Sequence, residues 1–81
     1  MKSKKRIEKE WLDFERRIMP KNAPAVQRQE MRRAFYAGVS SALNIAFALG
    51  DDDVSEDEGA AVLESMRQEC IEFAAQVGTK Y

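Results

Sequence analysis

The sequence predicts an all-α protein: three helices in a bundle, or a helical hairpin plus an arm, with a long central helix. Three observations carry this. Apolar residues recur three and four apart through most of the chain, the helical period. No segment alternates apolar and polar residues as a half-buried strand does. Proline and glycine fall at two breaks, Pro20 to Pro24 and Gly50, which divide the 81 residues into three parts. One helical domain over residues 1–81 is the simplest division.

The first helix is expected from about Ser3 to Ile18. Ile7, Trp11, Phe14 and Ile18 are spaced four, three and four, one stripe of an amphipathic helix. Charges fill its other faces. The segment MPKNAP ends it, and Pro24 suits the first turn of a new helix, where a missing N–H costs nothing.

The second helix is expected from about Pro24 to Leu49, about 37 Å at 1.5 Å per residue. That is long for so small a chain. Met31, Phe35, Gly38, Ala42, Ile45 and Leu49 form its main stripe. Ala34, Gly38, Ala42 and Ala46 form a ridge of small residues at every fourth position. Such a ridge serves either a close symmetric helix pair or close packing inside one subunit. On either reading the helix is expected to be central and covered on more than one side. Its uncharged second half points to a homo-oligomer built through it. Gly50 is the expected left-handed residue just past its end.

The acidic loop DDDVSEDE follows. Ser55 and Glu58 then make the S-x-x-E pattern of a capping box, and the acids of that first turn suit the helix dipole. The third helix is expected from about Glu56 to Val77, closed by Gly78. Val62, Met66, Cys70, Phe73 and Val77 make its stripe. Cys70 is therefore expected to be a buried structural thiol, with no histidine to activate it.

Composition narrows the chemistry. There is no histidine, so the usual general base and the commonest zinc ligand are missing. One cysteine excludes an intrachain disulfide. No apolar run reaches the ~18 residues of a membrane span. The basic start MKSKKRIEKEW continues charged where a signal peptide needs an apolar stretch. A cytoplasmic protein is expected, with no membrane partner. Residues 1–33 carry eleven Lys/Arg and five Asp/Glu, a net +6, whereas residues 34–81 carry two and nine, a net −7. That split reads as a basic surface for an anion, or as two halves that attract each other within or between chains.

The acidic loop partly imitates a calcium loop. From Asp53, the residues Asp53, Ser55, Asp57 and Glu64 occupy its positions one, three, five and twelve. The glycine needed at position six is Glu58 instead, with Gly59 one residue late. A capped helix start explains the same residues, so no metal site is expected. No glycine-rich phosphate loop is present. No pair of carboxylates has surroundings that would separate their pKa values for acid/base work. No enzymatic activity and no cofactor are expected. Acidic residues interrupt the basic N-terminal stretch, and the acidic second half repels a duplex, so nucleic-acid binding ranks third.

The richest segment is QRQEMRRAFYAG, Gln27 to Gly38. On a helix, Arg28, Arg32, Tyr36 and Ser40 follow one another at every fourth position, flanked by Gln29 and Arg33. Arginine forks bind phosphate bidentately, and tyrosine adds a stacking face with a polar tip. Arg28, Arg32, Arg33 and Tyr36 are thus the candidate ligand-binding residues for a nucleotide or another small anion. The competing reading pairs these arginines with acids of the third helix, such as Glu64, Glu69 or Glu72. Arg28 is unusual, because a cation near a helix start opposes the dipole.

Trp11 and Phe14, then Pro20, Ala23-Pro24, Gln27 and EMRRAFYAG (Glu30 to Gly38), resemble a family of small phage and prophage helical proteins. The similarity covers roughly residues 11 to 75, and its specific part is Glu30–Gly38. It implies a phage-related helical protein in a bacterial host cell and no particular activity. Small phage proteins without catalytic residues often act by binding, some on host defence proteins and others on nucleotide signals. The expected function is non-enzymatic counter-defence of that kind. The alternative is a structural or assembly accessory protein with no small-molecule ligand.

Overall fold

The computed structural model describes residues 4–78. The protein is all-α, with α1 at Arg6–Ile18, α2 at Ala25–Ala48 and α3 at Glu56–Val77. The chain divides into two compact units, one up to Leu43 and one from Asn44.

The N-terminal unit is built on aromatic residues. The α1 stripe places Trp11 where it is only 1% exposed. Its ring centroid lies 5.9 Å from that of Phe14 and 5.6 Å, edge-on, from that of Phe35 on α2. Phe14 and Phe35 close the triangle at 5.4 Å. Tilted and edge-on pairs at such distances add about 0.5–1.5 kcal/mol each beyond the area they bury. Met19, also buried, closes the unit below the end of α1.

The start of α1 differs from expectation. Ser3 lies outside the described residues, and Lys4 and Lys5 precede the helix rather than belong to it. Lys5 at the cap offers no side-chain acceptor, and cations oppose the positive end of a helix dipole. The helix ends as expected. Arg16 and Arg17 occupy the last turn and both pair with Asp13. Met19 turns extended (φ −77°, ψ 135°), as the residue before a proline must.

α2 begins one residue later than expected. Pro24 stands just ahead of it and lends its carbonyl to the Arg28 N–H at 3.1 Å, the role of a cap carbonyl. Its other end is a correction. Gly50 is not left-handed, since Gly78 is the positive-φ glycine among the described residues. Instead α2 tightens: the Gly50 N–H donates to the Phe47 carbonyl and the Asp51 N–H to that of Ala48, at 3.0 and 3.3 Å. Three-residue bonds of this kind satisfy helix-end carbonyls without a glycine cap.

A second correction concerns what α2 buries. None of its residues is fully buried. Met31 and Phe35 are half-buried, Phe35 against Trp11 and Phe14 of α1, but Gly38, Ala42 and Ile45 of the expected stripe are exposed. So are Ala34 and Ala46 of the small-residue ridge. A Cβ built on Gly38 meets nothing within 4 Å. Within its own unit the ridge is therefore left open at Ala34, Gly38 and Ala42. α1 spans only about 20 Å, so it can face little more than the first half of a helix nearly twice as long.

The C-terminal unit joins the last turn of α2 to α3. The capping box forms as expected: the Glu58 N–H donates to the Ser55 hydroxyl at 3.1 Å, and the Ser55 N–H donates to the Glu58 carboxylate at 3.2 Å. Those bonds, the backbone one first, hold Glu58 below the usual carboxylate range. Gly78 closes α3 with φ +71°. Gly59 and Ala74 are its buried residues. A Cβ on Gly59 would lie 3.7 Å from that of Leu49, so the first turn of α3 lies against the end of α2. The rest of the expected α3 stripe is corrected. Val62, Cys70, Phe73 and Val77 are exposed and Met66 is half-buried. Within this unit α3 faces only a short piece of α2 and the loop, too little to cover a stripe of six turns.

Candidate functional site

The arginines of α2 have separate fates. Arg28 is a structural tether. One guanidinium nitrogen donates to Glu15 of α1 at 3.0 Å. The other donates to the carbonyls of Pro20 and Lys21 at 2.8 and 3.0 Å. This explains a cation at the start of α2: it satisfies carbonyls of the preceding turn and a carboxylate of the neighbouring helix. Arg28 is thereby drawn away from the other candidates.

Arg32, Arg33, Tyr36 and Gln29 do come together. They line a shallow depression of about 450 Å³ on the outer side of the N-terminal unit. The Arg32 guanidinium lies 5.5 Å from the centroid of the Tyr36 ring, within the range of a cation–π contact. Tyr36 is half-buried and its ring sits edge-on to Phe35 at 6.2 Å, so the aromatic core holds its orientation. Ser40 continues the same line but does not line the depression.

The ion pairs at this depression are weak. Glu8 of α1 stands 3.8 Å from Arg32, beyond hydrogen-bond reach. Arg33 meets Glu30, one turn back on its own helix, at 3.2 Å. Both pairs are exposed, and such pairs contribute only about 0–1 kcal/mol each. Most of the N–H donors of the two guanidiniums are left to solvent. Within their own units Arg32 and Arg33 meet Glu8 and Glu30, and Glu64 pairs with Arg67 on α3. Two guanidiniums beside an aromatic face can hold a phosphate-type anion bidentately and stack a planar ring.

A second concavity went unnoticed in the sequence. The C-terminal unit carries a groove of about 510 Å³ with Ile45, Met66, Cys70 and Phe73 along it and Glu69, Glu72 and Gln76 beside them. Periodicity places Ile45, Met66, Cys70 and Phe73 in a core, and the sequence offers Glu69 and Glu72 only as partners for the arginines of α2. The available signal was that the apolar arc of α3 is wider than one short neighbour can cover. Among the described residues no group of three or more acidic or cysteine side chains is placed to hold a metal ion. No described helix is long and apolar enough to cross a membrane.

The chain matches no family model, no curated protein and no solved structure.

Proposed function

We propose that this chain is a non-enzymatic, homo-oligomeric binding protein of phage type, acting in the bacterial cytoplasm, whose ligand is a phosphate-bearing molecule with a planar ring. The observation that carries the reading is the Arg32–Tyr36 contact beside Arg33 in one depression. Two cations there are held only by displaceable surface carboxylates. A nucleotide offers what they lack: a dianion for the forks and a base for the ring. Sequestering a nucleotide signal is the counter-defence role that suits such a site.

The test is thermal shift against a panel of cyclic and linear nucleotides. A ligand at about 100 times its Kd adds about 2.7 kcal/mol of stability. The shift should vanish in Arg32→Ala and Arg33→Ala and persist in Arg28→Lys. Shifts that survive both alanine variants would place the site elsewhere.

A second reading is favoured by a specific observation. Leu43 and Phe47 are exposed one turn apart on the uncharged half of α2, Phe47 at 79%. Adjacent exposed apolar side chains mark protein contact surfaces. If no nucleotide shifts the transition, binding of a host protein or an assembly role takes precedence.

A further inference from the structure

The groove of the C-terminal unit has an apolar floor and an acidic edge. Ile45, Met66, Cys70 and Phe73 supply the floor, and Phe73 is 53% exposed there. Glu69 and Glu72 form the edge, and neither has an ion-pair partner among the described residues. The complementary shape is an amphipathic helix with one apolar anchor flanked by cations.

The chain itself contains such a face. On α1, away from the Trp11 stripe, Lys9, Leu12 and Arg16 follow at spacings of three and four, with Lys5 just ahead of the helix. Leu12 is the large apolar residue of that face and is 50% exposed. Lys9 has no ion-pair partner among the described residues, and Arg16 meets only Asp13 of its own helix, on the surface.

We infer that α1 of a second copy docks in this groove, with Leu12 on the apolar floor and Lys9 and Arg16 at Glu69 and Glu72, and that the exchange is reciprocal. The inference rests on the homo-oligomer reading and specifies its contact. Charge selects this pairing. The unit up to Leu43 carries eleven Lys/Arg and five Asp/Glu, a net +6, and the unit from Asn44 carries two and nine, a net −7. Pairing like units would set +6 on +6 or −7 on −7; the exchange sets each on its opposite. Reciprocity makes the contact isologous, so it closes at two copies instead of growing.

Cys70 lies in the groove and reports on its occupancy. Light scattering at low salt should give twice the 9.2 kDa of the chain, and Cys70 alkylation should slow as protein concentration rises. Leu12→Glu should give a monomer with unchanged helical circular dichroism and a fast-reacting Cys70. Chains carrying Lys9→Glu with Arg16→Glu, or Glu69→Lys with Glu72→Lys, should each be monomeric and should pair when mixed. A wild-type monomer at all concentrations overturns both this docking and the homo-oligomer reading. A dimer that survives Leu12→Glu overturns the docking alone. Cys70 protection that does not depend on concentration places the contact within one chain. Masses that keep rising with concentration refute reciprocity.

Discussion

Replacing Arg28 by alanine tests whether the N-terminal unit is held as described. The side chain joins three partners: Glu15 at 3.0 Å, the Pro20 carbonyl at 2.8 Å and the Lys21 carbonyl at 3.0 Å. Arg28 and Glu15 are roughly one-third exposed, at 31% and 27%, so the ion pair is partly screened and is worth about 0.5–1 kcal/mol. Each bond from the cation to a carbonyl adds about 1 kcal/mol net, the value of an ordinary hydrogen bond and below the range for charged donors, because both are at the surface. The sum is about 2–3 kcal/mol. For a chain of this size 1 kcal/mol moves Tm by about 4–8 °C, so Arg28→Ala should lower it by roughly 10–20 °C. Thermal unfolding followed by circular dichroism at 222 nm, the usual helix band, measures this. Arg28→Lys should recover part of the loss, because a single ammonium cannot span the carboxylate and both carbonyls. A loss below about 0.5 kcal/mol for Arg28→Ala, the range of an ordinary surface substitution, would refute the tether.

Trp11→Ala removes the most buried side chain among the described residues. It should cost about 3–5 kcal/mol, enough to leave the N-terminal unit largely unfolded by circular dichroism, and a cooperative transition near the wild-type Tm would contradict the aromatic core. Gly38→Ala should act in the opposite direction. Its Cβ meets nothing within 4 Å, so the gain in helix propensity of about 0.5–1 kcal/mol should appear as a higher Tm; a lower Tm would show that something approaches that position closely. Ser55→Ala should cost about 1 kcal/mol by removing the cap. The cap also carries a pH signature. Glu58 is held below its ordinary value of 4.5 in the folded chain, so its contribution is complete above that value and is lost as pH falls through the lower, folded one. In Ser55→Ala stability should depend less steeply on pH below about 4.5, and an unchanged acid limb in denaturant titrations would contradict the box.

Much of the fold was legible because it is local. The 3.6-residue period of Ile7, Trp11, Phe14 and Ile18 locates α1 without reference to anything distant, and Ile7, Trp11 and Phe14 do turn inward while Ile18 at the end stays exposed. The Ser55–Glu58 box and Gly78 bound α3 at the expected residues. These features are set by backbone groups within one turn, and sequence reports them directly. Gly50 misled because a helix end can be satisfied by tightening its last turn, and composition does not show which solution the chain takes. Part of the candidate site was legible too. Arg32, Arg33 and Tyr36 share an arc by spacing alone, and they line one depression. Arg28 shares that arc equally well, yet Glu15 and two carbonyls of the preceding turn draw it away. No spacing rule within α2 contains those partners.

What the sequence by itself determined is the all-α class, the three helices and the face that each would turn inward. What only the tertiary structure decided is how much of each face is met by a partner. An apolar stripe states that a surface favours leaving water; it does not state whether a neighbour is long enough to cover it. Within one unit α1 faces the first half of α2, and within the other a short piece of α2 leaves most of α3, so Ile45, Cys70 and Phe73 stand exposed where periodicity alone places a core. Burial is a property of two surfaces, and the sequence of one helix specifies only its own.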